Sequence, residues 1–385
     1  MIYMDNAATS WPKPNIVYDT VSQAMKEYGA NPGRSSHKMA VKAAQALITT
    51  RESLCRLFNT PNPFSMVFTF NTTDSLNLAI KGLLKKRDHV ITTSMEHNSV
   101  VRPLMHLARA GIDVTIVPTD STGIIDPVEI EKAIKGNTKL IVTTHASNVT
   151  GTVMPIEKVG KIAKQYGVLY LVDAAQTAGL IPLDLSKLEI DLLAMPGHKG
   201  LLGPQGTGVL FIREGTSLNQ IREGGTGSQS ESIYQPGFLP DRYESGTMNT
   251  PGIAGMGAGI EYILSRDQEK SFSRIQGMEE MFIDALNSIK GVKVYGPKSI
   301  QHRAGIISIN IGDKDSREIV NILNNEYDIA ARGSLHCAPL AHETIGTKDQ
   351  GTVRFSPGVF STREEIRICV KAIEDIIHRI KTRSI

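Results

Sequence analysis

The sequence predicts an α/β protein: a mainly parallel sheet covered on both faces by helices, followed by a smaller C-terminal α+β unit. Two observations lead there. Short apolar, β-branched runs alternate with segments of helical patterning through the first part of the chain, which is the signature of successive βαβ units. At 385 residues and 41% hydrophobic, the chain is long enough for a large core and two domains.

The strand candidates, in order, are 66–68, 89–91, 114–117, 140–142, 168–172 and 208–212, with helix-like segments at 74–85, 100–110 and 156–166 between them. Residues 222–247, rich in Gly and Ser, read as a long loop, which inside a domain is usually functional or at an interface. A helix over 251–264 then leads into strand candidates at 292–295 and 306–310. The expected organisation is an N-terminal segment (1–14) near the active site, a large domain (15–250) and a small C-terminal domain (251–385). No internal repeat or low-complexity tract interrupts it.

Composition narrows the class. With 42 basic and 39 acidic residues the net charge is +3, so no basic surface of the kind used on nucleic acid is implied. No apolar run is long enough to span a bilayer, and the start Met1-Ile2-Tyr3-Met4-Asp5 lacks signal-peptide regions, so a cytoplasmic location without membrane contact is expected. Cys55, Cys337 and Cys369 are too widely spaced for a disulfide framework or a zinc site. Cys55 and Cys369 sit in helical patterning and are expected to be buried structural thiols.

The chemistry concentrates around Lys199. It lies in Met195-Pro196-Gly197-His198-Lys199-Gly200, downstream of the 168–172 run that ends in Asp173-Ala174-Ala175-Gln176. An amine on a Gly-rich loop and an acid at a strand end are what a pyridoxal phosphate (PLP) enzyme needs: a Schiff-base lysine and a carboxylate for the pyridinium nitrogen. To act as a base near neutrality, that lysine must have its pKa depressed by desolvation or neighbouring charge. The PLP phosphate is normally held by backbone donors at a helix start plus hydroxyls, and Asn71-Thr72-Thr73-Asp74-Ser75 offers both.

These motifs resemble those of the PLP fold type I enzymes, in the class V aminotransferase and cysteine desulfurase superfamily, which implies a large domain with a mainly parallel seven-stranded sheet. Asp-x-Ala-Gln and Ser-Gly-His-Lys are signatures there; Pro196 stands where that family has Ser, which removes one phosphate-side hydroxyl. The resemblance implies PLP as cofactor, with Thr72 and Thr73 in the phosphate loop, His97 of Ser94-Met95-Glu96-His97 stacked on the ring and moving protons, and Asn148 of Ser147-Asn148-Val149-Thr150-Gly151 near the ring hydroxyl and substrate. It further implies Asp173 on the pyridine nitrogen, Gln176 on O3′, His198 on the phosphate and Lys199 as Schiff-base lysine. Thr247, in Tyr243-Glu244-Ser245-Gly246-Thr247, matches a hydroxyl supplied to the neighbouring subunit's phosphate, which implies a homodimer.

The segment Ala331-Arg332-Gly333-Ser334-Leu335-His336-Cys337-Ala338 resembles the cysteine loop of group II cysteine desulfurases and selenocysteine lyases, with Ser334 and Leu335 departing from its pattern. In that family the cysteine attacks the substrate sulfur, keeps it as a persulfide and releases alanine. The resemblance, running from Tyr3 to Arg354, makes Cys337 the nucleophile, Arg354 the binder of the substrate α-carboxylate, and Arg332 a further substrate or loop contact. His336 and Arg332 beside Cys337 are expected to lower its thiol pKa. The expected activity is L-cysteine desulfuration with transfer to a protein sulfur acceptor for iron-sulfur or other thio-cofactor assembly. L-selenocysteine lyase, or another cysteine or cystine C–S lyase, is the alternative; a transaminase has no use for Cys337, and a sulfur-carrier or scaffold role no use for Asp173, Lys199 and Arg354 together.

Overall fold

A computed structural model of the chain describes residues 1–33 and 36–383. A short strand β1 (Ile2–Tyr3) and helices α1 (Asn15–Glu27) and α2 (Lys38–Phe58) open the chain. Strand and helix then alternate: β2 (Met66–Thr69), α3 (Thr72–Leu83), β3 (His89–Thr93), α4 (Asn98–Arg109), β4 (Asp113–Val117), α5 (Pro127–Lys132), β5 (Thr138–Thr144), α6 (Ile156–Gln165), β6 (Leu169–Asp173), β7 (Leu192–Pro196) and β8 (Gly208–Ile212). The rest comprises α7 (Thr250–Leu264), α8 (Gln268–Ser288), β9 (Val292–Tyr295), β10 (Ile307–Ile311), α9 (Ser316–Tyr327), β11 (Ile329–Ala330), α10 (Pro339–Thr344), β12 (Val353–Phe355) and α11 (Arg363–Arg383).

The seven strands β2 to β8 form one sheet in the order β2-β8-β7-β6-β5-β3-β4, in which only β8 runs against the others. Its side chains alternate between two cores, because successive residues of a strand point to opposite faces. Tyr170, Val172, Leu193 and Met195 pack on one face with α2, α6 and α7, whereas Leu171, Leu192 and Ala194 pack on the other with α3 and α4. A sheet buried on both faces selects continuous apolar strands, and β3, β7 and β8 are buried throughout.

β7 has no counterpart among the strand candidates of the sequence. Leu, Ala and Met favour helix and Pro disfavours strand, so nothing in Leu192-Leu193-Ala194-Met195-Pro196 announces a sheet. Pairing fixes it instead: β6 on one side and β8 on the other supply its ladder. The consequence for the site is direct, since β6 and β7 are parallel neighbours and deliver Asp173 and Lys199 from adjacent carboxyl ends.

In the C-terminal part an antiparallel sheet β12-β10-β9 packs against α8, α9 and α11 around Phe282, Ile309, Phe355 and Ile373. The N-terminus joins this part: β1 pairs in parallel with β11, and Met4 is buried in the same core. Cys369 is buried there on α11, as expected, while Cys55 on α2 is only partly covered.

Candidate active site

Outside the carboxyl ends of the parallel strands, where ligands of such sheets bind, lies a cavity. Thr72, Thr73, His97, Asn148, Asp173, Gln176, His198 and Lys199, all expected from the sequence, line it together. Asp173 ends β6; Lys199 lies in the turn after β7, and Asn148 in the turn after β5. Thr72 and Thr73 are the first two residues of α3, and His97 caps α4.

The lysine turn is tightly built. A Cβ at residue 200 would run into the Ala178 carbonyl oxygen, so only glycine fits beside Lys199. The N-terminal segment buttresses it: Ser10 Oγ donates to the Lys199 carbonyl (2.9 Å), and Lys13 Nζ to that of His198 (2.7 Å). Burial, with the positive charge of Arg354 next in weight, lowers the Lys199 amine to about 8. Asp173 is buried and accepts from the Ala175 N–H at 2.9 Å; burial raises its carboxyl to about 6, against the pull of that N–H and of Lys199.

His97 is neutral at physiological pH, because burial and the cationic neighbours Lys199, Arg332, Arg102 and Arg354 lower it to about 4. Its Nδ1 accepts from the Ser99 backbone N–H at 3.0 Å, so the ring proton sits on Nε2. Ser99 Oγ also faces Nδ1 (2.9 Å) and Thr73 Oγ1 faces Ser99 Oγ (2.7 Å). With Nδ1 an acceptor, the hydroxyl protons run from Thr73 to Ser99 to His97. Thr72 differs: its hydroxyl is buried and, among the described residues, has no hydrogen-bond partner, as is also true of Nδ1 of His198. Two orphaned polar atoms beside the N–H-rich start of a helix fit a phosphate, and Asp173 and Lys199 fit the ring nitrogen and aldehyde of PLP.

Arg354, on β12, reaches the same region from the C-terminal part. Although 1% exposed, it donates from Nη1 to the Asn148 carbonyl (3.0 Å) and from Nη2 to Asp5 Oδ1 (2.8 Å), leaving Nε without a partner. Its backbone pairs with that of Arg332, whose Nη2 lies 4.0 Å from Cys337 Sγ. The thiol is exposed, on a loop where Ser334, His336 and Cys337 all have positive φ. Asn98 N–H donates to the Cys337 carbonyl at 2.8 Å, next to His97.

The expected role of His336 is corrected. Its imidazole turns away from the thiol into the protein, with Nε2 on the Thr352 carbonyl (3.1 Å) and the ring against His342. Burial holds its pKa well below the ordinary value, so it presents no positive charge to Cys337; Arg332 is the cation beside the sulfur. Thr247 is not brought to the cavity within one chain; it is exposed and lines another hollow with Phe70 and Arg222.

Three residues at the site carry no role in the sequence reading. Asp5 pairs with Arg354, Ser99 links Thr73 to His97, and Glu96 is a fully buried carboxyl held by Thr93 Oγ1 (2.6 Å) and the Thr144 N–H (3.1 Å). Glu96 stands inside the quoted Ser94-Met95-Glu96-His97 motif, which marked the segment but not the direction of this side chain.

The chain matches the family model "Aminotransferase class-V" over residues 2–368. It is 35% identical to a probable cysteine desulfurase of Methanothermobacter thermautotrophicus, covering 97% of this chain and 94% of that one. It is 31% identical to the cysteine desulfurase IscS of Dictyoglomus turgidum, covering 100% and 96%. An apo structure of a cysteine desulfurase from Thermococcus onnurineus NA1 superposes with a TM-score of 0.93 at 33% identity, covering 98% and 94%.

Proposed function

The chain belongs to the class-V aminotransferase family, whose members here share its PLP fold type I, and from that membership and the geometry of the site we propose that it is a PLP-dependent cysteine desulfurase. The observation that carries this reading is an exposed thiol, Cys337, tethered to the wall of a cavity that also holds Asp173 and Lys199. A transaminase has no use for that thiol.

When bound, PLP supplies an electron sink for the pair released at the substrate Cα. In this reading the start of α3, Thr72 and His198 would hold the phosphate, Asp173 would keep the ring nitrogen protonated, and Gln176 and neutral His97 would hold the ring. Lys199, with its amine near 8, alternates between proton acceptor and donor at the substrate carbons. Arg354 takes the α-carboxylate; its unpartnered Nε is a free donor, and Asn148 stands beside it. The Cys337 thiolate attacks the substrate sulfur: an S–S bond forms, the Cβ–S bond breaks, and L-cysteine plus enzyme thiol become L-alanine plus enzyme persulfide. Arg332 steadies the thiolate.

Residues 1–14 form a segment that braces the site, 15–250 a PLP-binding domain and 251–385 a smaller domain carrying the cysteine loop. Two copies form a homodimer in which Thr247 reaches the other copy's cofactor. The persulfide passes to an acceptor protein in the cytoplasm, for iron-sulfur or other thio-cofactor assembly. Among the described residues no helix is long and apolar enough to cross a membrane.

The test is to incubate PLP-loaded protein with L-cysteine, without and with reductant, and to assay alanine and enzyme-bound persulfide. Wild type forms both; Cys337→Ser keeps its PLP but loses nearly all of both products. Absence of alanine and persulfide in the wild type sinks the desulfurase reading, and undiminished turnover in Cys337→Ser makes the protein a lyase of another kind.

A further inference from the structure

The cysteine loop is strained and therefore has to be held. Ser334 (φ 82°), His336 (φ 48°) and Cys337 (φ 58°) all occupy the left-handed region that non-glycine residues disfavour, so the native path persists only if surrounding bonds over-determine it. Its first half is fastened to the C-terminal part: Ser334 N–H donates to Ser316 Oγ (3.0 Å), and Thr352 N–H to the Ser334 carbonyl (3.2 Å). The His336 ring adds its bond to the Thr352 carbonyl.

The half that carries the thiol is fastened to the cofactor side. The His336 carbonyl is taken by the side-chain amide of Asn148, which lines the cavity, at 2.7 Å, and the Cys337 carbonyl by the backbone N–H of Asn98, between the lining residues His97 and Ser99, at 2.8 Å. Of these two, only the Asn148 bond is made by a side chain. Asn148 is buried, lines the cavity, and gives its own carbonyl to Arg354 Nη1. One residue thus touches the cavity, the carboxylate-binding arginine and the thiol loop.

We propose that Asn148 is a positioning residue for Cys337: its side-chain amide holds the His336 carbonyl and thereby fixes the strained loop so that the thiol stands at the cavity. The catalytic meaning of this latch rests on the desulfurase reading, but the latch itself does not. Removal of the amide donor leaves the left-handed residues without one of their anchors, and the loop relaxes away. Sulfur transfer to Cys337 then slows because the nucleophile is misplaced, a geometric loss of the kind that small displacements cause.

The experiment compares wild type with Asn148→Ala and with Asn148→Asp, which keeps the shape but has no N–H to donate. Hydrogen exchange of the amides of residues 334–338 and the rate of Cys337 alkylation by iodoacetamide are measured without L-cysteine, in PLP-loaded and PLP-free protein alike, so that loss of cofactor cannot imitate loss of the latch. Both variants are expected to exchange and alkylate about tenfold faster than wild type, the ratio that one ordinary hydrogen bond supports. With L-cysteine, single-turnover persulfide formation falls by at least as much. Wild-type exchange and alkylation in both variants overturn the proposal; so does loosening in Asn148→Ala alone, which assigns the effect to side-chain volume. Because the loop is read without substrate, a loosened loop in a protein that makes no alanine leaves the latch standing and removes only the desulfurase reading.

Discussion

Thr72 and Thr73 are adjacent hydroxyls at the start of α3, yet their surroundings give them different work. The proton of Thr73 is committed through Ser99 to His97, whereas Thr72 is buried with nothing to bond. A phosphate needs donors, so Thr72 is the hydroxyl free to serve it. Thr72→Ala is expected to weaken PLP binding about 10- to 100-fold, the worth of one hydrogen bond to a charged group, and Thr73→Ala by less than about threefold. Titration of the apoprotein with PLP measures both, and equal losses would contradict the assignment. At this scale the sequence was legible wherever chemistry restricts residue type: an amine, an acid at a strand end and hydroxyls at a helix start are few. It was illegible wherever the question is which way a side chain turns. Thr72 and Thr73 are the same residue in the same motif, and His336 sits next to a thiol in sequence while its ring packs on His342.

A strand of poor propensity and a buried acid are both imposed by their neighbours in the fold. β7 lacks strand propensity and exists because β6 and β8 flank it; α+β strands such as β9 and β10 were readable because β-branched residues recur in them. β1 and β11, two residues each and 326 positions or more apart in sequence, carry no periodic signal and meet only through tertiary structure. Glu96, in the turn between β3 and α4, makes the same point energetically. Among the described residues no cation lies at hydrogen-bond distance from its buried carboxyl, and burial raises it to about 8 from 4.5. Between those two values the unfolded chain releases the proton while the folded protein keeps it. Each pH unit in that window therefore removes about 1.4 kcal/mol of stability, which is fully present below 4.5 and lost by about 8. Glu96→Gln has no proton to lose. Its melting temperature should rise relative to wild type between pH 5 and pH 8, and a pH-independent difference would mean that Glu96 is ionised throughout.

For the whole molecule the open question is whether one chain makes a complete site. Thr247 lies outside the cavity of its own chain and is exposed, and large apolar side chains stand exposed on α1 and α2 (Ile16, Met25, Met39, Val41) and on the Gly-rich loop (Ile233, Tyr234). A second copy that covers them and receives Thr247 accounts for both facts. Complementation distinguishes this from a Thr247 that serves its own chain. Lys199→Ala is expected to be inactive because its own sites lack the amine, and Thr247→Glu because a carboxylate in the place of the hydroxyl repels the phosphate. If Thr247 acts across the interface, a mixed dimer contains one site with both defects and one with neither. Random reassembly of equal amounts then restores about a quarter of wild-type activity, since half the dimers are mixed and each has one intact site. If Thr247 acts within its own chain, every site in the mixed dimer carries one defect and nothing is recovered. Sedimentation of the same mixture should give a single species of twice the chain mass, and a monomer that holds a full complement of PLP would remove Thr247 from the site altogether.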